Sequence, residues 1–191
     1  MCRRSWTRNR SLSPARARAG RKTARRQLEP SGGSSFAEEM RKSGLEPHAP
    51  LVDLSTVDAP ADVAEHLNIA AGDLVVRRTR HMFASDRPVQ VATSYIPLGI
   101  AGSEDIALPD TGPRGLYKRL ADRGYKVVKF AEEIEARQPR PGEAEFLGLT
   151  EAQYVLEVAR IAYAEDDMPI ETVINVFPSQ QWRLSYEWPA E

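Results

Sequence analysis

Cysteine is nearly missing from this chain of 191 residues; the one present is Cys2. Without a second thiol no internal disulfide can form, so the fold must hold by packing, and a reducing cytoplasm suits it. Histidine is almost as scarce. His48, His66 and His81 are the three, and none stands at a spacing from Cys, Asp or Glu that a zinc or iron site requires, so no metal is expected. His48 and His66 read as solvated imidazoles. No apolar run approaches the ~20 residues that span a bilayer. The basic N-terminus passes into Gln27-Leu28-Glu29-Pro30 without the apolar stretch of a signal peptide, so no membrane partner is expected. The G-x-S-x-G elbow, the P-loop and the G-x-G-x-x-G turn are all missing. Serine hydrolases, nucleotide-dependent enzymes and Rossmann folds thereby lose their usual anchors, and no cofactor is expected.

Acidic residues are missing from the first 28 positions, which hold ten of the 26 Lys and Arg. The net charge of −1 therefore conceals a remainder with 16 basic and 27 acidic side chains, a balance of −11. Residues 1–33 have almost no aliphatic side chains to bury, so burial cannot offset the entropy of ordering them. They read as a basic disordered leader. The folded domain is expected over residues 34–191.

Ser34-Ser35-Phe36-Ala37-Glu38-Glu39-Met40 has the hydroxyls and early acids of a helix start, and Gly44 ends that helix. Residues 51–57 read as a strand and 61–67 as a short helix opened by Pro60. Residues 74–83 and 89–96 form a hairpin around Ala84-Ser85-Asp86-Arg87-Pro88. A helix ending at Gly124 follows. Residues 125–136 read as extended, with Val128, Phe130 and Ile134 as buried candidates. A helix over 141–147, a second hairpin over 154–177 and a last strand over 182–188 complete the pattern.

The chain resembles itself at a spacing of 80 residues, through the identical pairs Ala64/Ala144, Glu65/Glu145, Leu67/Leu147, Val75/Val155, Arg80/Arg160 and Ala84/Ala164. Each unit is a helix, a turn and a hairpin. Two such units with extra strands predict an α+β domain, an antiparallel sheet with its helices on one side.

Arg78 and Arg80 fall on one face of a strand, with the Gln90/Ala92 region of its hairpin partner nearby. Two guanidinium forks aimed at one spot suit a carboxylate or phosphate, and a solvated outer row of arginines fits the same pattern. Glu171 and Phe177 are six residues apart and so share a strand face, either as a ligand-facing pair or as an exposed acid beside a core ring. Glu132 and Glu133 are adjacent in a strand, face opposite ways and cannot form a dyad.

Ser34 to Pro47, Pro60 to Gly72, Arg78-Thr79-Arg80, Arg87-Pro88-Val89, Ser94-Tyr95-Ile96-Pro97, Gly115-Leu116-Tyr117, Ile134-Glu135-Ala136 and Met168-Pro169-Ile170-Glu171 follow one another. In that order they resemble the UTRA domain, the effector-binding domain of HutC-type GntR transcriptional regulators, over about residues 34–189. The resemblance implies a chorismate-lyase-like fold, an antiparallel sheet flanked by helices, that binds a small-molecule effector and forms a homodimer. It implies an effector site at Ser35, Phe36, Ala37, Arg78, Arg80, Gly115, Glu171 and Phe177, where the arginines grip an anionic group and no residue is catalytic. Ala92, Gly115 and Phe177 stand where sugar-phosphate-sensing relatives often carry Glu, Ser and Tyr. That points away from an amino-sugar phosphate and toward a less polar acid.

Such regulators place a winged helix-turn-helix ahead of this domain, and the 33 residues before Ser34 are shorter than that unit. The reader head is therefore expected to be missing from this chain. DNA contact is expected either through that missing head or weakly, through phosphate charge, at residues 3–26. The function implied is ligand sensing in a cytoplasmic transcriptional regulator. The alternatives are a chorismate-lyase-like enzyme acting on an aromatic acid, and a subunit without DNA-binding activity that acts by heterodimerising.

Overall fold

The computed structural model describes residues 3–7, 24–26, 35–102 and 115–187. Its helices are α1 (Ser35–Lys42), α2 (Ala61–Leu67), α3 (Leu98–Ala101), α4 (Gly115–Asp122) and α5 (Pro141–Leu147). Its strands are β1 (Arg3–Thr7), β2 (Ala24–Arg26), β3 (Pro47–His48), β4 (Leu51–Asp58) and β5 (Leu74–Ala84). After these come β6 (Arg87–Pro97), β7 (Lys129–Arg137), β8 (Val155–Tyr163), β9 (Pro169–Pro178) and β10 (Arg183–Glu187).

Helix ends follow the sequence closely. Past α1, Gly44 sits at φ +73° and donates to Arg41 O, while Leu45 donates to Met40 O. This doubled closure satisfies carbonyls that the helix leaves open. The 80-residue repeat carries the same device in both units. Ile69 N–H donates to Ala64 O at 3.1 Å past α2, and Leu149 N–H to Ala144 O at 2.8 Å past α5. The left-handed residue is Asn68 in the first unit and Gly148 in the second.

Seven antiparallel strands form the main sheet, in the order β3-β5-β6-β9-β8-β7, with β4 also paired on β5. The two hairpins, β5–β6 and β8–β9, meet along β6 and β9. Thr93 opposite Ile174 lies at the centre of that seam. On either side, Ala92 faces Asn175 and Ser94 faces Val173, so the seam relates the repeats by an approximate two-fold axis.

Helices cover both faces rather than the one side that the strand pattern predicted. On one face α2 packs Val63, Ala64 and Leu67 against Val57, Val75 and Tyr95. On the same face α5 packs Leu147 and Phe146 against Val91, Val155, Ala159, Ile174 and Val176. On the other face, Ile100 and Ala101 of α3 and Leu120 of α4 join Val76, Ile96 and Ala162. The inner strands demand this double cover, because β9 is buried at nearly every position and a strand apolar on both sides needs a layer over each.

Two expectations are corrected. Ile134 is 44% exposed, since among the described residues β7 is an edge strand with a neighbour on one side only, and Val128, just ahead of that strand, is 57% exposed. Phe130 of the same strand packs inward. Among residues 1–33, β1 pairs antiparallel with β10, from Arg3 opposite Glu187 to Thr7 opposite Arg183, and β2 pairs with β1. A backbone ladder needs N–H and C=O partners rather than apolar side chains, so poverty in aliphatic residues does not preclude it. The rest of the leader lies outside the described residues. His66 is the second correction: its side chain is 14% exposed, held between Thr172 Oγ1 at 3.4 Å and Glu133 Oε2 at 3.5 Å.

Candidate functional site

Strand register sets out one face of the sheet row by row. Across β5, β6, β9, β8 and β7 one row reads Arg78, Ser94, Val173, Arg160 and Glu132, and the next reads Arg80, Ala92, Asn175, Val158 and Ile134. Glu171 lies one same-face step from Val173, opposite Ala162. Apolar groups close the belt at both ends. At one end Tyr117 and Leu120 of α4 close over Val76, Ile96 and Phe130. At the far end Phe36 and Met40 of α1 join Ala84, Val89 and Trp182, and Trp182 leans on Phe177 with ring centroids 5.4 Å apart.

A charged belt inside a covered face is costly unless its members are matched. Arg78 is 3% exposed and Glu171 1% exposed. Burial pushes the Arg78 guanidinium down to about 10, with the positive charges of Arg80 and Arg119 adding to the fall and the Glu171 carboxylate opposing it. Arg80 Nη1 donates to Ala49 O at 2.9 Å, which turns its guanidinium toward the β3–β4 edge. Ser94 Oγ donates to Glu171 Oε1, whereas Glu171 Oε2 is buried with no hydrogen-bond partner. The two-fold counterpart of the Ser94–Glu171 bond is Gln90 Nε2 donating to Asn175 Oδ1 at 2.7 Å.

The residues expected from sequence fall into two groups. Arg78, Arg80, Glu171 and Phe177 share this face, and the solvated reading of Arg78 and the exposed reading of Glu171 do not hold. Phe36 and Gly115 stand at opposite ends of the belt, Phe36 in the cluster at the far end and Gly115 as the first residue of α4, at φ +70°. Ala37 is half-buried on α1. Ser35 opens α1, and its side chain lies outside the described residues. Sequence reasoning gave no role to Ser94, Gln90, Asn175, Arg160 and Tyr117, although it placed the Gln90/Ala92 region near the arginines. Cross-strand register is the signal that finds the first three, and the Arg80/Arg160 repeat pair points to the fourth.

Among the described residues, no group of three or more His, Cys, Asp or Glu is placed to hold a metal ion, and no helix is long and apolar enough to cross a membrane.

Residues 42–183 match the UTRA domain family. The chain is 32% identical over 139 residues to an HTH-type transcriptional regulator of Streptomyces coelicolor, a match covering 71% of this chain and 51% of that one. It is 23% identical over 151 residues to the HTH-type transcriptional repressor NagR of Bacillus subtilis, covering 79% of this chain and 61% of that one. The chain thus spans between half and two thirds of the length of these relatives. A crystal structure assigned to the GntR-family transcriptional regulators superposes with a TM-score of 0.75 at 25% identity, covering 87% of this chain and 68% of that one. On a match running through most of its length, the chain belongs to the UTRA domain family and is homologous to the effector-binding part of GntR-family transcriptional regulators.

Proposed function

We propose that residues 34–191 are the ligand-sensing and dimerising unit of a GntR/HutC-type regulator, which controls transcription in the cytoplasm in response to a small anionic metabolite. The observation that carries this reading is the desolvated Arg78, whose charged form is disfavoured by burial and by Arg80 and Arg119, with the Glu171 carboxylate opposing them. An anion placed beside Arg78 and Arg80 adds negative charge in a setting where water screens little, so its binding there is strengthened. Glu171 orients the ligand. Phe36 and Phe177 line the far end, and Ser35, Ala37 and Gly115 bring helix-start N–H groups to the site.

The ligand regulates by binding two arrangements of the homodimer unequally, which shifts the spacing of the DNA-reading winged helix-turn-helix units that the dimer controls. The acidic body of the domain suits this division of labour, since it repels the phosphate backbone. Isothermal titration against a panel of small carboxylates and phosphates tests the reading. At least one compound is expected to bind wild type and to lose about tenfold or more in affinity in Arg80→Ala, the cost of a charge-assisted bond. Identical responses of the two proteins across the panel would count against it.

A further inference from the structure

Arg160 on β8 is the repeat counterpart of Arg80 and projects from the same face of the sheet. Its Nη2 donates to Tyr117 Oη at 3.0 Å, and its guanidinium carbon lies 5.0 Å from the centre of the Phe130 ring. Its Nε is buried without a hydrogen-bond partner, as is Glu171 Oε2. Register places these two groups on adjacent strands, one same-face step apart, because Arg160 faces Val173 and Glu171 is the next inward residue of β9. Buried polar atoms are seldom left unsatisfied in folded proteins, and these two are complementary, one an N–H donor and the other a carboxylate acceptor.

A single group that accepts from one and donates to the other satisfies both. A hydroxyl does this; a carboxylate has no proton to give and an ammonium has no lone pair to accept. We propose that Arg160 and Glu171 form a hydroxyl-recognising subsite, so that the effector is a small hydroxy acid. The inference rests on the reading that Arg78 and Arg80 hold the acid group. Strands lie about 4.8 Å apart, which separates β5 from β9 by roughly two such steps, and long arginine side chains shorten the gap. A carboxylate and a hydroxyl separated by a chain of several carbons fit that span. Because Tyr117 shares Arg160 with the ligand, occupancy of the subsite also reaches α4.

The test follows arginine Nε–H signals in proton–nitrogen spectra of the full chain, assigned with Arg78→Lys, Arg80→Lys and Arg160→Lys. The probes are 6-hydroxyhexanoate and hexanoate. Both acids are expected to move the Arg78 and Arg80 signals, and only the hydroxy acid to move that of Arg160. The hydroxy acid is expected to bind at least about fivefold tighter, as one hydrogen bond gives, and Arg160→Lys to bring the ratio close to one. Tyr117→Phe, which removes the helix contact and keeps the subsite, is expected to retain the preference; losing it there would make Arg160 a support for α4 and overturn the proposal. Equal movement of the Arg160 signal by both acids, or none by either while Arg78 and Arg80 respond, overturns the subsite and leaves the anion reading intact. Silence at Arg78 and Arg80 overturns both.

Discussion

Ser94 on β6 gives its hydroxyl hydrogen to Glu171 on β9, across the seam where the two repeats meet and inside a face that helices cover. That bond reaches one oxygen of the carboxylate, and the second oxygen is buried with no hydrogen-bond partner. Ser94→Ala removes the donor with little change of shape and deprives the buried acid of that bond. The expected loss is about 1–3 kcal/mol of folding stability, read from the urea midpoint at pH 7. Glu171→Gln and the double variant close a mutant cycle, and a coupling below about 0.5 kcal/mol would show that the two residues are energetically independent.

The second prediction concerns acid. Arg137 at the end of β7 clasps Glu143 in the first turn of α5 with Nη1 and Nη2 at 2.7 Å each, and reaches Glu157 on β8 with Nε at 2.7 Å. Burial alone would raise Glu143, but the bonds from Arg137 and from the Arg140 N–H outweigh it and hold the carboxyl below its usual 4.5. A carboxyl depressed in the folded state contributes stability that is complete above its unfolded value and is lost as pH falls through the folded one. Wild type is therefore expected to lose stability steeply below pH 4.5, and Glu143→Gln to show a shallower acid limb. At pH 7 the variant should be weaker by about 1–3 kcal/mol, because both partners of the clasp are mostly buried. Denaturant melts between pH 3 and 7 measure both; parallel curves for the two proteins would contradict the linkage.

What the sequence made legible was what local chemistry decides. The helix ends at Gly44 and Gly124 could be read from single residues, and the two hairpins from their turns and their 80-residue echo. Arg78, Arg80 and Glu171 could be singled out because period-two spacing puts side chains on a common face. Whether that face was covered could not be read from one strand. Glu171 is paired opposite Ala162, which packs with α3 and α4, and those helices come from elsewhere in the chain. Ser94 became visible as a site residue only when register put it beside Arg78. The pairing of β1 with β10 joins segments far apart in the sequence through a backbone ladder, and side-chain patterning carries no record of such a ladder.

The repeat yields a third prediction. Asn68 and Gly148 occupy the same left-handed position after α2 and α5, at φ 51° and 64°. Asn tolerates that conformation better than most residues but at some steric cost, whereas Gly adopts it freely and gives back part of the gain as unfolded-chain entropy. Asn68→Gly is expected to stabilise by roughly 0.5 kcal/mol and Gly148→Asn to destabilise by a similar amount. Thermal melts of the two variants decide it; shifts of the same sign would mean that the two caps are not equivalent.

The last prediction isolates a glycine that the fold requires twice over. Gly102 follows α3 at φ +63° and ψ 179°, a region that is essentially closed to residues with a Cβ. A Cβ built there would also meet Arg123 Nη2 at 2.3 Å and Cζ at 2.6 Å, and Arg123 Nε donates to Ile100 O at 3.2 Å. Gly102→Ala therefore carries backbone strain of about 1–3 kcal/mol, plus whatever displacing the guanidinium costs. These parts separate in an Arg123→Ala background, where the clash disappears and the strain does not. The cost of Gly102→Ala is expected to fall in that background without vanishing. An equal cost in both backgrounds would put the whole effect in the backbone, and a cost of zero would put it all in the arginine.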